Sequence, residues 1–323
     1  VVLSSATPSL DSYARAYKGV YQLVTLTKRI SLQIPKIHLV DMKTEQVENG
    51  LSFSLINAIQ QALAKHQQVI LLLNRRGYLP VVKCTQCEET FTCPDCGIAL
   101  TYHKKEDLLM CHCCGRVFSF DHTCPKCHSH SFYRLGMGTE KLEENLQSMF
   151  PKAYIVRMDA DSTRKKNAHA KLLKEFEEKG DILVGTQMVA KGLDYQRVSV
   201  VGILQADASL ARIDYQSAET AYSMLEQASG RCGRGQIEGN VYIQTFEPDH
   251  YVMQSVIQHD YFSFFSKEMK YRHLGMYPPY VYLCTVIYQD KKEEKAMQVA
   301  QNAKAYLSDL KVLGPISISM RQQ

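Results

Sequence analysis

Residues 84–127 read CTQCEETFTCPDCGIALTYHKKEDLLMCHCCGRVFSFDHTCPKC and contain four C-x-x-C pairs. The pairs are Cys84 and Cys87, Cys93 and Cys96, Cys111 and Cys114, and Cys124 and Cys127. A C-x-x-C turn places two thiolates on one side of a tight loop, and two facing turns complete a tetrahedral zinc shell. The eight cysteines therefore predict two structural Zn²⁺ sites with four thiolate ligands each.

The spacing between the pairs favours a nested arrangement of the two sites. The stretch between Cys96 and Cys111 is long enough for a short hairpin that joins two knuckles of a zinc ribbon. The stretch between Cys87 and Cys93 is too short for such a hairpin, so sequential pairing is disfavoured. A crossed pairing stays open on spacing alone.

Disulfide bonds are the alternative explanation for so many cysteines. They would require an oxidising compartment. The sequence shows neither a signal peptide nor an apolar run of membrane-spanning length. We therefore expect bound zinc, a cytoplasmic protein and no membrane span.

The segments on either side of the cysteines predict an open α/β sheet. Short, nearly continuous apolar runs are typical of parallel strands buried on both faces. They occur at residues 69–73, 153–156, 182–184 and 198–204. Helical patterns lie between them, and alternating strands and helices favour a parallel sheet. After residue 250 the pattern changes: an aromatic helix, a Pro-Pro break, a strand candidate at 281–288 and a further helix predict a smaller α+β domain.

The formal net charge of +5 gives little support for nucleic-acid binding. This value counts every cysteine as neutral. A zinc ion with four thiolates carries a charge of −2, so two such sites lower the total to about +1.

Residues 227–234, Gln-Ala-Ser-Gly-Arg-Cys-Gly-Arg, carry two arginines on a glycine-rich turn after a predicted helix. Glycine permits the sharp turn, and the planar guanidinium groups of Arg231 and Arg234 can bind phosphate oxygens in fork geometry. This arrangement suits stabilisation of a transferring phosphoryl group. An ordinary glycine-terminated helix with surface arginines is the simpler interpretation, since short motifs carry a high false-positive risk.

Two further stretches follow apolar residues: one follows a predicted buried strand, and the other follows the apolar pair Val1-Val2. Residues 185–195 read Gly-Thr-Gln-Met-Val-Ala-Lys-Gly-Leu-Asp-Tyr, and residues 5–7 read Ser-Ala-Thr. Loops at the carboxyl ends of parallel strands are common ligand-binding positions. Thr186 and Gln187 can hydrogen-bond phosphate or sugar, and Lys191 can bind a phosphate. A plain strand-to-helix loop explains the longer stretch about as well.

In chain order, residues 5–7, 185–195 and 227–234 resemble motifs III, V and VI of superfamily 2 helicases. Other stretches narrow the resemblance to the PriA family of primosomal replication-restart helicases. They are Asn74-Arg75-Arg76-Gly77-Tyr78, Gly138-Thr139-Glu140-Lys141, Arg157-Met158-Asp159-Ala160-Asp161 and Ala206-Asp207-Ala208-Ser209-Leu210. The resemblance covers nearly the whole chain.

The resemblance implies a second RecA-like helicase lobe that is interrupted by a two-zinc, eight-cysteine ribbon module and followed by part of a smaller α+β C-terminal domain. The implied divisions are the end of the first motor lobe and a linker (1–26), the second lobe (27–82 and 134–250), the zinc insertion (83–133) and the start of the C-terminal domain (251–323). It also implies nested zinc pairing, in which the outer cysteine pairs bind one ion and the inner pairs bind the other.

The resemblance further implies an ATP-dependent 3′→5′ DNA helicase that recognises stalled forks and promotes primosome assembly. Arg231 and Arg234 would complete the ATP site, with Gln227 in support. Thr7 would belong to the element that couples the state of the bound nucleotide to the strength with which the enzyme holds DNA. The remaining nucleotide- or DNA-contacting residues would be Thr186, Gln187, Lys191, Gly192 and Asp194.

The implied cofactors are two Zn²⁺ ions, with ATP and Mg²⁺ in the whole enzyme. The implied partners are forked and single-stranded DNA, single-stranded DNA-binding protein, and primosome and helicase-loading proteins, in the cytoplasm at the nucleoid. No Gly-x-x-x-x-Gly-Lys-[Ser/Thr] loop and no Asp-Glu-x-His occurs in the sequence. We therefore expect a C-terminal portion of the enzyme without ATPase activity of its own.

A zinc-ribbon module that binds DNA or protein without catalysis is the alternative. Aromatic side chains near the cysteines could stack on single-stranded bases. The candidates are Tyr102, Phe118, Phe120, Phe132 and Tyr133. A core position is the favoured interpretation for them, because so small a module needs every apolar side chain it has.

Overall fold

The computed structural model describes residues 1–26, 34–74, 82–87, 89–94, 100–103, 107–111, 116–134, 138–159, 162–163, 168–186, 195–210, 214–233, 237–290 and 292–315. The chain forms two compact units. The first unit comprises Val1–Tyr78 and Met137–Val281, and the second comprises Leu79–Gly136 and Tyr282–Gln323.

The secondary-structure elements follow in chain order. They are α1 (Leu10–Tyr17), β1 (Lys36–Asp41), β2 (Val47–Glu48), β3 (Leu51–Ser52), α2 (Phe53–Ala64), β4 (Gln68–Leu73), β5 (Val82–Cys84), β6 (Thr101–His103), β7 (Leu108–Met110), β8 (Val117–Ser119), β9 (Phe132–Arg134), α3 (Thr139–Met149), β10 (Ile155–Met158), α4 (Ala168–Lys179), β11 (Ile182–Gly185), β12 (Val198–Leu204), α5 (Ser217–Ser229), β13 (Asn240–Thr245), α6 (Tyr251–Ile257), α7 (Tyr261–Leu274) and α8 (Glu293–Tyr306). A 3₁₀ turn at Ala206–Ser209 follows β12.

The first unit is built on a six-stranded sheet in the order β1-β13-β12-β4-β11-β10, with all neighbouring pairs parallel. Every residue of β4, β11 and β12 is buried. The predicted α/β class with a parallel sheet is therefore confirmed, and the continuous apolar runs are its central strands.

Two hydrophobic cores lie on opposite faces of this sheet, because successive strand residues point to opposite sides. Ile70 and Leu72 of β4 enter one core, together with residues of α1 and α4 to α7. Val69, Leu71 and Leu73 enter the other, together with residues of α2 and α3. Helices thus cover both faces of the sheet, while the ends of the strands stay uncovered.

The end of the first unit differs from the predicted boundary at residue 250. Val252 and Val256 of α6 and Phe264 of α7 lie in the same core as the sheet, and Phe264 stacks on Tyr222 of α5 at a centroid distance of 4.3 Å. The aromatic residues that suggested a new domain instead cover one face of the sheet. Residues 281–288, predicted as a strand, adopt no strand conformation, and no strand in the described part of the chain pairs with them.

The second unit contains two small antiparallel sheets, β5-β9 and β6-β7-β8. Tyr102, Leu109 and Phe120 are buried in its core, and Phe91 and Phe132 pack against them. These aromatic rings therefore lie in the core of the module, as the favoured interpretation held. Helix α8 buries none of its residues. Among the described helices, none is long and apolar enough to cross a membrane.

One buried polar side chain connects the sheet to the end of a helix. Gln68, the first residue of β4, is 3 % exposed, and its Nε2 donates at 2.8 Å to the carbonyl oxygens of both Phe176 and Gly180. The last carbonyls of a helix have no partner within the helix. Gln68 therefore supplies donors that the C-terminal end of α4 requires.

We expect Gln68→Leu to lower the free energy of unfolding by about 1–3 kcal/mol, because buried carbonyl groups lose their hydrogen-bond donor. Gln61→Leu on the exposed side of α2 makes the same chemical change at the surface and should cost less than about 0.5 kcal/mol. Urea unfolding followed by circular dichroism measures both. Equal losses in the two variants would contradict the capping role.

Candidate functional site

The outer cysteine pairs converge on one point in the second unit. The sulfur atoms of Cys84, Cys87, Cys124 and Cys127 all lie within 4.8 Å of one another. The Sγ–Sγ distance is 3.5 Å between Cys84 and Cys127 and 3.4 Å between Cys87 and Cys124. Zinc–sulfur bonds of about 2.3 Å in a tetrahedron place the sulfurs about 3.8 Å apart. The four thiolates therefore fit a closed, structural zinc site.

The local electrostatics of this cluster favour a thiolate at Cys84. Burial by itself raises the pKa of this thiol, but hydrogen bonds from the backbone N–H groups of Cys87 and Gln86 outweigh it and lower the pKa to about 6. The thiolate is the form that binds a metal ion. The knuckle turn thus supplies the N–H donors that stabilise a sulfur ligand.

The inner cysteine pairs are described only at Cys93 and Cys111, since Cys96 and Cys114 lie outside the described residues. Both Cys93 and Cys111 are buried in the small core of the second unit. The backbone N–H of Cys111 donates to the carbonyl oxygen of Arg116 at 2.8 Å. This bond joins Cys111 to the fifth residue after it.

The same closing bond occurs in both outer knuckles. The N–H of Cys84 donates to the carbonyl of Glu89 at 2.8 Å, and that of Cys124 to the carbonyl of Ser129 at 2.9 Å. The bond from a cysteine N–H to the carbonyl of the fifth residue after it thus occurs at Cys84, Cys124 and Cys111, and the first two of these cysteines belong to the sulfur cluster.

In the first unit, α5 presents a polar stripe to the segment that carries the Ser-Ala-Thr stretch. Gln227 Nε2 donates to Ser223 Oγ at 2.9 Å and to Thr7 Oγ1 at 3.3 Å. Thr7 Oγ1 and Ser223 Oγ share a further hydrogen bond at 3.0 Å. The structure thus brings together two predicted site residues, Thr7 and Gln227, that lie far apart in sequence.

These contacts line a partly open cavity of about 360 Å³. Its polar lining includes Thr7, Ser223 and Gln227, and its apolar lining includes Tyr222 and Phe264. The cavity is therefore a cleft between the Thr7 segment and the helices α5 and α7.

The glycine-rich turn follows α5 directly. The helix ends at its C-cap Gly230, and Arg231 is half-buried in the turn beyond it. Gly233 has φ +72°, a left-handed conformation that favours glycine. The Cys232 thiol between them is buried, and burial raises its pKa to about 12, so it remains protonated at neutral pH.

A second glycine holds this turn in place. A Cβ atom on Gly239 would lie 2.4 Å from the backbone N of Gly233 and 2.7 Å from its Cα. The chain that enters β13 therefore passes against the glycine-rich turn at a distance that only glycine permits. This close approach involves the backbone of Cys232 and Gly233, directly after Arg231.

The other predicted residues are described only in part. Thr186 follows β11 directly and is half-buried at the carboxyl edge of the sheet. Gln187, Lys191, Gly192, Asp194 and Arg234 lie outside the described residues. Their predicted roles stay predictions.

The sequence analysis missed an ionic cluster beside the Thr7 segment. Arg272 of α7 is fully buried, and its Nη2 donates to Glu219 Oε2 at 2.7 Å and its Nε to Glu268 Oε1 at 3.1 Å. Burial by itself would lower the pKa of Arg272, but the two carboxylates outweigh it and raise the pKa. The i, i+4 spacing of Glu268 and Arg272 was the available sequence signal. Glu219 lies far from Arg272 in sequence, so no local pattern indicated that the two side chains are in contact.

The parallel sheet, its glycine-rich turn and the cysteine ribbon together define the class: a C-terminal RecA-like helicase lobe interrupted by a zinc-ribbon module. Residues 128–236 match the family described as helicase conserved C-terminal domain. Residues 93–117 match the PriA DNA helicase Cys-rich region domain.

Curated relatives give the particular family. The replication restart protein PriA of Bacillus subtilis is 44 % identical over 98 % of this chain. PriA of Chlamydia muridarum is 40 % identical over 93 % of the chain, and PriA of Haemophilus influenzae is 34 % identical over 98 %. The chain belongs to the PriA family. It spans 40 %, 41 % and 44 % of the lengths of these three relatives, respectively.

We expect Gly239→Ala to lower the free energy of unfolding by about 1–3 kcal/mol, because the new methyl group forces the backbone at Gly233 to move. Gly230→Ala is the matched control. Its Cβ would meet only ordinary contacts at 3.6 Å, so a change below about 0.5 kcal/mol is expected. Denaturant unfolding gives both values, and the backbone amide shift of Gly233 should move more in Gly239→Ala than in Gly230→Ala. Unchanged amide shifts in that variant would show that the close approach does not position the turn.

Proposed function

We propose that this chain is the second motor lobe and zinc module of an ATP-dependent 3′→5′ DNA helicase that acts in replication restart. The observation that carries the proposal is the hydrogen-bonded set Thr7, Ser223 and Gln227. A motor needs its nucleotide-sensing and phosphate-binding segments in physical contact. Here one segment carries Thr7, and the other carries Gln227 one turn before Arg231.

In this proposal Arg231 and Arg234 bind the transferring γ-phosphoryl group of ATP from the side opposite the phosphate loop. Arginine suits this role because its charge is permanent and its donors form a planar fork. ATP with Mg²⁺ supplies the phosphoryl group. Gln227 orients the end of α5 through its hydrogen bond to Thr7. At the carboxyl edge of the sheet, DNA or nucleotide is contacted by Thr186, Gln187, Lys191, Gly192 and Asp194.

The family membership supports the wider role. The proposed substrates are forked and single-stranded DNA at stalled forks. The proposed protein partners are single-stranded DNA-binding protein and the primosome and helicase-loading proteins, in the cytoplasm at the nucleoid. We further propose that the 323-residue chain alone does not hydrolyse ATP, since its sequence lacks the phosphate loop that holds the phosphates and Mg²⁺.

A binding module without catalysis is less well supported. It would need accessible aromatic rings for base stacking. Tyr102 and Phe120 are instead buried in the core of the second unit. It would also have no use for the contact between Thr7 and Gln227.

The experiment is complementation in trans. This chain is mixed with a first-lobe fragment that carries the phosphate loop, and DNA-stimulated ATP hydrolysis is measured. We expect activity that Arg231→Ala lowers by at least about a hundredfold, the usual scale for loss of a group that stabilises transition-state charge.

Arg197→Ala is the control for this experiment. Arg197 is an exposed arginine that bonds the carbonyl oxygen of Glu177, on another part of the first unit. We expect it to leave ATP hydrolysis unchanged. Full activity in the Arg231→Ala mixture would overturn the proposed role of that arginine. A folded, zinc-loaded mixture that lacks ATPase activity would count against the motor assignment.

We also propose that the chain binds two zinc ions, one through the outer cysteine pairs and one through Cys93, Cys96, Cys111 and Cys114. The backbone closing bond that Cys111 shares with Cys84 and Cys124 supports the second site. Structural sites of four thiolates hold zinc firmly enough for it to be counted after purification.

Elemental analysis should therefore give two zinc ions per chain, and one after either Cys124→Ser or Cys111→Ser. Cys284→Ser removes an exposed cysteine elsewhere in the chain and should leave both ions bound. A single ion in the unaltered chain would refute the second site, as would two ions in the Cys111→Ser chain.

A further inference from the structure

Arg272 is the centre of a buried polar cluster in the first unit. It is 1 % exposed, and two carboxylates, Glu219 and Glu268, neutralise it. Its Nη1 also donates to the carbonyl oxygen of Pro278 at 3.3 Å, and its guanidinium carbon lies 5.1 Å from the ring centre of Tyr215. A buried charge needs a partner of opposite sign. Glu219 makes the shorter of the two ion pairs, at 2.7 Å, and it is the carboxylate that joins Arg272 to α5.

Glu219 extends this cluster to the Thr7 segment. Its Oε2 accepts the bond from Arg272, and its Oε1 accepts the backbone N–H of Leu10 at 3.0 Å. Leu10 is the first residue of α1, and the first N–H groups of a helix have no partner within the helix. The carboxylate thus uses one oxygen for the ion pair and the other for the start of α1.

The same segment is held at two further points. Thr7 bonds to Ser223 and Gln227, and the carbonyl oxygen of Pro8 accepts the hydroxyl of Tyr261 at 2.8 Å. Glu219, Ser223 and Gln227 follow one another at i, i+4 and i+8, so they lie on one face of α5. That face bonds both ends of the segment, Thr7 and Leu10.

We propose that Glu219 and Arg272 are positioning residues, which hold residues 7–10 against α5 so that Gln227 reaches Thr7. The proposal rests on the motor role proposed above for Thr7 and Gln227. It adds that the Thr7 contact depends on the chain after α7, since Arg272 also binds the carbonyl of Pro278. A change in the Pro278 segment would therefore be transmitted through Arg272 and Glu219 to residues 7–10.

Two isosteric variants separate positioning from general stabilisation. Glu219→Gln keeps the size of the side chain but removes the charge that faces Arg272, which lets the side chain turn away from Leu10. Glu268→Gln removes the other carboxylate charge from the same arginine. Glu268 bonds Tyr251 and Arg272, not the Thr7 segment. Arg272→Lys keeps the positive charge and loses the planar fork.

The first readout is amide hydrogen exchange of the 323-residue chain. We expect Glu219→Gln and Arg272→Lys to increase the exchange rate at Leu10 at least tenfold, relative to amides of β4, and Glu268→Gln to leave that ratio unchanged. An equal increase in the Glu219→Gln and Glu268→Gln chains would overturn the proposal, because it would show general loosening. An unchanged exchange rate at Leu10 in the Glu219→Gln chain would also overturn the proposal.

The second readout is kinetic and uses the two-lobe mixture described above. We expect Glu219→Gln to lower kcat for ATP hydrolysis at least tenfold with KM for ATP changed less than twofold, and Glu268→Gln to change neither. An unchanged kcat in the Glu219→Gln mixture would overturn the positioning role. If the unaltered mixture is inactive, the proposed motor function fails. Hydrogen exchange at Leu10 still decides whether Glu219 and Arg272 hold residues 7–10 against α5.

Discussion

Two-sided burial of the central strands is the constraint on which the first unit depends. β4, β11 and β12 are buried at every position, so both faces of the sheet must be covered by helices. α2 and α3 cover one face, while α1 and α4 to α7 contribute to the core on the other. With the faces closed, polar chemistry is confined to the strand ends and the segments after them. Thr186 lies at such an end.

The helix α5 connects this scaffold to the candidate site. Its apolar side, with Tyr222 and Leu225, lies in the core, and its polar side binds the Thr7 segment. Because the core fixes the rotation of the helix about its axis, it also determines where Ser223 and Gln227 point. The glycine-rich turn then begins where the helix ends, and the close approach of Gly239 to Gly233 sets its path. Arg231 therefore lies between two packed features, the end of α5 and the contact of Gly239 with Gly233.

The sequence was sufficient for features whose signal is local. Continuous apolar runs identified the central strands, and C-x-x-C spacing identified the outer sulfur cluster, because both patterns follow from short-range geometry. The core of the first unit continues past residue 250, since the aromatic side chain of Phe264 in α7 packs on Tyr222, a partner that no local pattern reveals. The ion pair of Glu219 and Arg272 was missed for the same reason. The roles assigned to Arg234, Gln187 and Lys191 stay predictions.

The polar character of the Arg272 cluster has a physical explanation beyond charge pairing. Buried ion pairs can often be replaced by apolar side chains of similar volume without loss of stability. Here an apolar residue at position 219 would leave the N–H of Leu10 without its acceptor, and a buried N–H without a partner is costly. Glu219 is therefore needed as an acceptor, and its charge in turn requires a cation in the core. Arg272 can meet that need while its Nη1 reaches Pro278, so one ion pair joins the start of α1, through Glu219, to the chain after α7, through Arg272.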